Sequence, residues 1–273
     1  MGGRRRARCS GRPRGTAGSR PAHRHRPIPR ERGSARHRRR PKIAFDPLFR
    51  KDYGRYQLLP PELERALFAG EAPFRGLDAV FISHYHEDHF SPADLRRLLE
   101  VQPGVRLYAP AQAVATMDLE AGGAAIRSRI TAIDLDDDDA PIEMEAGTLR
   151  VEAVRIPHAG WPDRNHDVQN LAWRVTLDAA ATVVHLGDAD ARDVHFAREA
   201  AYWERRHPHV AFPPYWFFLG EEGSRVLEQR IAAGLTIGVH VPAAMPRPPG
   251  ERPEALRGHD LFLVPGETRE IRE

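Results

Sequence analysis

The chain has one cysteine, Cys9, so no intrachain disulfide can brace it. Long apolar runs are also missing. None approaches the roughly eighteen residues that cross a bilayer, and residues 1–42 lack the apolar stretch of a secretory signal. Those absences lead us to expect a cytoplasmic protein with no transmembrane segment. Acidic residues are scarce at the start, where residues 1–42 set 15 Arg and one Lys against Glu31 alone. The rest of the chain carries 25 basic and 37 acidic residues. The formal net charge of +3 therefore conceals an acidic body. Phosphate contacts need a positive surface, so an acidic body argues against nucleic acid as the main substrate.

Residues 1–41 are Arg, Pro, Gly, Ser and His with almost nothing to bury, and are expected to form a disordered basic segment. Residues 42–273 are expected to form one domain, since a chain of 273 residues that is 41% hydrophobic can bury one good-sized core or two small ones.

Against this background one stretch stands out, His84-Tyr85-His86-Glu87-Asp88-His89. It follows Ala79-Val80-Phe81-Ile82, a short β-favouring run that reads as a buried strand. Side chains two apart at a strand end point the same way, so His84 and His86 form a pair while Tyr85 faces the other side. Asp88 and His89 fall in the turn beyond. Imidazole and carboxylate are the ligand types of zinc, iron and manganese sites.

The remaining pattern alternates strands and helices. Ile43 to Asp46 reads as a strand closed by an Asp-Pro turn, and Glu62 to Phe68 has helical spacing. Ser91-Pro92-Ala93-Asp94 opens a helix through about Glu100. Strands follow at 105–108 and 130–133, with a short helix over 111–119 between them. Asp134 and Asp136–Asp139 lack the Gly and final Glu of a calcium loop and read as a solvated turn. Further strands are expected at 149–156, 171–177, 182–186, 235–239 and 260–264, and helices at 192–206 and 222–233. His158 and His240 each close a strand, and Gly187-Asp188 closes another. The loop 160–169 holds Trp161 and His166, and the aromatic run at 210–218 includes Tyr215 and Trp216; both are places for substrate contacts.

The His-X-His-X-Asp-His stretch and these later residues together resemble the metallo-β-lactamase fold superfamily of metal-dependent hydrolases. The resemblance implies an α/β fold, a four-layer αββα sandwich with ligands gathered at strand ends. It implies His84, His86 and His158 around one divalent cation, Asp88, His89 and His240 around a second, and Asp188 shared between them. Zinc is the default for such ligands, and manganese and iron accept the same set. Asp46, His185 and Asp190 would support the ligands from behind, Asp190 being the rival of Asp188. Asp88 would also handle a proton while a metal-bridged hydroxide attacks the substrate.

His86 separates the chain from flavodiiron oxygen reductases, which resemble it but carry an acid there. The lack of a cysteine near the second cation separates it from most true zinc β-lactamases. Asp46-Pro47, Gly187-Asp188-Ala189-Asp190 and the short C-terminal part look most similar to the group of ascorbate 6-phosphate lactonase and N-acylphosphatidylethanolamine-hydrolysing phospholipase D. The expected substrate is thus a small or lipid-like phosphodiester, lactone or related ester. The alternatives are a metal-dependent nuclease, or a non-catalytic metal-binding protein with an incomplete N-terminal sheet. Members of the superfamily open with strands ahead of the one that ends at Asp46. We therefore expect residues 1–41 to be translated from a wrong frame or start in place of those strands.

Overall fold

Apolar residues two apart set the faces of each strand in the computed structural model, which describes residues 40–271. Strands β1 (Ile43–Phe45), β2 (Ala79–Phe81), β3 (Arg106–Pro110) and β4 (Ile130–Ile133) pair in that order, all parallel. Parallel neighbours need crossovers. These are supplied by α1 (Pro61–Ala69), α2 (Pro92–Val101), and α3 (Ala111–Ala115) with α4 (Leu119–Arg127). The second sheet starts as an antiparallel meander of β5 (Ile142–Ala146), β6 (Leu149–Arg155), β7 (Leu171–Leu177) and β8 (Ala181–His185). It continues in parallel through β9 (Val210–Phe212), β10 (Leu235–Gly238) and β11 (Asp260–Leu261). Helices α5 (Asp193–Ala197), α6 (Ala200–Glu204) and α7 (Glu221–Arg225) belong to this half.

Three apolar layers follow from the alternation. In β2, Ala79 and Phe81 enter the core between the sheets, while Val80 and Ile82 pack with Leu95, Leu98 and Leu99 of α2. In β7, Leu171, Trp173 and Val175 face the inner core, and Ala172 packs outward with Phe196 and Trp203. The buried Trp173 indole donates to the Ile82 carbonyl at 2.8 Å, tying one sheet to the other. The result is the mixed α/β, four-layer sandwich expected from the sequence. No helix among the described residues is long and apolar enough to cross a membrane. The expected disordered segment lies, apart from residues 40 and 41, outside the described residues.

Three expected helices differ in detail, the one over 111–119 ending at Ala115 with α4 starting at Leu119. The segment 192–206 breaks at Glu199, which leaves helical dihedrals at φ −108° and ψ 33°. On a straight helix Phe196 and Tyr202 would stand about 120° apart, and the break lets both enter the outer core. The segment 222–233 is α-helical only over α7, then widens into a π turn over Val226–Ile231. An i→i+5 turn sets Ile231 in line with Val226, and both are buried.

Candidate metal centre

The chain leaves β2 through Ser83, whose backbone N–H donates to Asp46 Oδ1 at 2.7 Å and whose hydroxyl donates to Asp46 Oδ2 at 2.6 Å. That hydroxyl oxygen is 2.9 Å from His84 Nδ1, so it accepts the ring N–H there and leaves Nε2 bare. The turn closes when the N–H groups of His89 and Phe90 both donate to the His86 carbonyl. It swings His89 back, and His89 Nδ1 donates to Asp46 Oδ2 at 2.9 Å. Asp46, in the left-handed region at φ 44°, thus braces two imidazoles through one carboxylate, the usual carboxylate–histidine support of a metal ligand.

His158 and Asp188 arrive from the second sheet on loops that are laced together. Ala159 N–H donates to the Asp188 carbonyl at 2.8 Å, and Asp190 N–H to the Pro157 carbonyl at 2.8 Å. Asn170 joins three strand ends, accepting from Asp188 N–H at 2.9 Å and donating to the carbonyls of Ile156 and Leu186. Gly187 is required here. It has φ 56°, and a Cβ would lie 2.3 Å from Asn170 Oδ1 and 2.5 Å from Ser83 Cβ. His240 follows β10 at φ 58°.

Two groups of atoms that could hold a metal ion result, His84 with His86 and His158, and Asp88 with His89, Asp188 and His240, each within 4.8 Å of one another. His86 Nδ1 lies 3.1 Å from the bare His84 Nε2. Asp188 reaches both groups, with Oδ1 3.2 Å from His89 Nε2 and 3.4 Å from His240 Nε2, and Oδ2 3.6 Å from His158 Nε2. His89 Nε2, His158 Nε2, His240 Nε2 and Asp188 Oδ1 are buried with no hydrogen-bond partner. Buried polar atoms left unpaired are costly, and cations between these groups would satisfy all four. The donor set fits divalent metal.

Electrostatics agree with that fit at the first group. Burial, helped by neighbouring imidazoles, pushes His84 well below the ordinary histidine value and lowers His86 and His158. Those rings stay neutral, the form that binds metal. His89 goes the other way: burial opposes protonation, but Asp188 and Asp46 hold it well above the ordinary value. Burial by itself would raise Asp188, and His89 and His240 outweigh it, holding the carboxyl well below the usual range. Asp88 is lowered in the same way, with His240 and His89 overcoming burial.

The other expected residues lie at various distances from the ligands. His185 is buried, stacks on Phe45 with ring centres 4.9 Å apart, and accepts the Gly187 N–H. Asp190 binds Arg192 at 2.7 Å and lies 3.3 Å from His195 Nε2. It accepts from Arg192 N–H, at the entry of α5. Trp161 packs edge-on against His195 and under Arg192. Trp216 donates its indole N–H to the Ala189 carbonyl and sets its ring 5.3 Å from His240, with Tyr215 beside it. His166 is exposed and belongs to neither ligand group.

One residue escaped the sequence reading. Tyr56 stands edge-on to His240 with ring centres 4.2 Å apart. Burial first, then Asp188 and Asp88, push its phenol up to about 12, so it remains a neutral donor beside two carboxylates. Its loop is pinned by Ala243 N–H donating to the Arg55 carbonyl and by Gln57 donating to the Leu263 carbonyl. The available signal was an aromatic pair, Tyr53 and Tyr56, in the loop right after Asp46. Aromatic packing contributes about 0.5–1.5 kcal/mol. Metal titration of Tyr56→Ala is therefore expected to show affinity weakened roughly two- to tenfold, with Tyr56→Phe near wild type. Equal losses in both variants would refute a role for the ring.

Residues 42–207 match a family model described as Beta-lactamase superfamily domain. Among solved structures, the chain is similar to a possible metal-dependent hydrolase from Veillonella parvula. The two are 12% identical with a TM-score of 0.45, over 72% of this chain and 74% of that one. It is also similar to an isothiocyanate hydrolase from Delia radicum gut bacteria, at 16% identity and a TM-score of 0.40, over 60% of this chain. A third is CmlA, a diiron beta-hydroxylase from Streptomyces venezuelae, at 13% identity and a TM-score of 0.40, over 59% of this chain. The matched region spans 62% of the isothiocyanate hydrolase and 35% of CmlA. No curated protein matches the chain.

Proposed function

The chain belongs to the beta-lactamase superfamily, and on that premise we propose that it is a metal-dependent hydrolase of esters that works with two divalent cations. His84, His86 and His158 would hold one cation, and Asp88, His89 and His240 the other, with Asp188 between them. The observation that carries this reading is the convergence of partnerless buried atoms from four separate loops, His89 Nε2, His158 Nε2, His240 Nε2 and Asp188 Oδ1. Zinc is the first choice for such ligands, with manganese and iron as substitutes.

When bound by these residues, divalent cations would supply a coordinated water of about neutral pKa and would polarise the oxygen of the bond under attack. The protein's own groups do the rest. Asp88 stays ionised and half-buried, which suits it to accept the proton of the attacking water and return it to the leaving oxygen. Asp46, Ser83 and Asn170 fix the ligands, so that no reorganisation is needed when charge develops. The substrate in this reading is a phosphodiester, a lactone or a related ester, as in the lactonase and phospholipase D group that the chain resembles.

Hydrolysis of bis(p-nitrophenyl) phosphate and of γ-butyrolactone by the purified full-length protein is the direct test. Turnover of at least one is expected, lost on dialysis against a chelator and restored by zinc or manganese. A metal-loaded protein that turns over neither compound would overturn the ester reading.

A further inference from the structure

Beside the second ligand group is a cavity of about 400 Å³. It lies beside β1 and β11, each at an edge of its sheet among the described residues, and Phe45 of β1 and Phe262, which follows β11, both line it. Asp88, His89 and His240 form one end of it, and Phe49, Val239 and Val264 extend the apolar lining. Several polar groups on its walls, though not the Tyr56 phenol or the atoms of the second ligand group, already have partners within the protein. Both oxygens of Asp46 are taken by Ser83 and His89. Gln57 donates to the Leu263 carbonyl, and Glu267 accepts from Leu263 N–H and Arg269.

We propose that this cavity receives an apolar arm of the substrate, so that the ester cleaved carries a medium-length alkyl or acyl group and not a sugar. This rests on the ester-hydrolase reading and narrows its substrate class. A polyhydroxylated ligand pressed against phenyl and isopropyl walls would lose water from hydroxyls that find no new partner. Each such hydroxyl weakens binding by roughly five- to a hundredfold. An alkyl chain gains from the same walls, about fourfold for each methylene removed from water. The volume is at the small end of the range of about 300–1,000 Å³ for ligand pockets, which fits a single arm. The reacting group at the head of that arm would meet Asp88 and His240 at the cavity's end.

The test is a calorimetric titration of the full-length, metal-free protein with γ-butyrolactone, γ-hexalactone, γ-octalactone and γ-decalactone. Hydrolysis of the same series by the metal-loaded protein runs in parallel. Affinity is expected to climb about fourfold per added methylene until the cavity is full, and kcat/KM to follow the same gradient. Val264→Trp, at a half-exposed position on the wall, is expected to flatten both. The gradient in the unmutated protein stands as a test by itself if that variant does not fold. Binding that ignores chain length, or a gradient unchanged in a folded Val264→Trp protein, would overturn the proposal. Metal-dependent hydrolysis with a flat profile would remove the apolar arm and leave the ester reading intact. A binding gradient without any lactone hydrolysis would remove the lactone branch of the ester reading and leave the cavity's preference.

Discussion

Alanine at Asp188 is expected to strip the protein of bound cation and to lower ester hydrolysis at least about a hundredfold, the scale attached to loss of a site group. Among the described residues, Asp188 is the one carboxylate whose oxygens approach imidazoles of both groups, between 3.2 and 3.6 Å from three of them. Its removal would leave His89, raised well above its ordinary value chiefly by this neighbour, without the charge that holds it. Asp190 provides the control. Two residues away, it is already paired with Arg192 and lies near His195, and Asp190→Ala is expected to keep its metal. Metal content and steady-state rates measured on both variants decide the matter. A metal-loaded, active Asp188→Ala protein, or a loss confined to Asp190→Ala, would reverse the assignment.

The second large effect concerns stability. Arg174 and Glu152 are both fully buried on the outer face of the second sheet, joined by two bonds of 2.9 and 2.7 Å. Arg174 also donates to the carbonyls of Tyr202 and Arg206 at 2.9 and 3.0 Å, satisfying groups that the end of α6 leaves open. Its guanidinium sits 3.8 Å from the centre of the Tyr202 ring. Arg174→Met would take two bonds from a buried carboxylate, leaving it Arg205 at 2.8 Å, and would leave two carbonyls open. A cost of about 3–5 kcal/mol is expected, or on the order of ten degrees in Tm. The pair should also make the protein acid-labile. Burial alone would raise Glu152, but Arg174, Arg206 and Arg205 hold it below its ordinary 4.5. A carboxylate lowered on folding stabilises above its unfolded value and loses that contribution as pH falls through the lowered one. Tm is therefore expected to fall below about pH 4.5 in the wild type, with Arg174→Met less sensitive there. A Tm within two or three degrees of wild type in Arg174→Met would contradict this role.

Legibility in the sequence tracked the distance over which a pattern acts. His84, His86, Asp88 and His89 could be read because one short peptide directly after one strand delivers all four. His158, Asp188 and His240 lie on separate loops, and only the resemblance tied them to that turn. The sandwich itself was implied by the same resemblance, and the alternation of strands and helices fits it. β5 went unread because Glu143 and Glu145 interrupt Ile142, Met144 and Ala146, although the pattern is that of a half-exposed strand. β9 was hidden in an aromatic run. No sequence pattern marked Arg174 and Glu152 as buried. What buries them is α6, whose position depends on the break at Glu199. Tyr56 was invisible for a similar reason, since its loop has no periodicity and is placed by contacts with residues 243 and 263.

The most direct measurement is the number of metal ions per chain, taken by inductively coupled plasma mass spectrometry on full-length protein loaded with zinc and freed of excess. Two per chain are expected in the wild type, and fewer when His86 or His240 is replaced by alanine. A wild-type chain that retains none, or variants that retain as much as the wild type, would contradict the dinuclear centre.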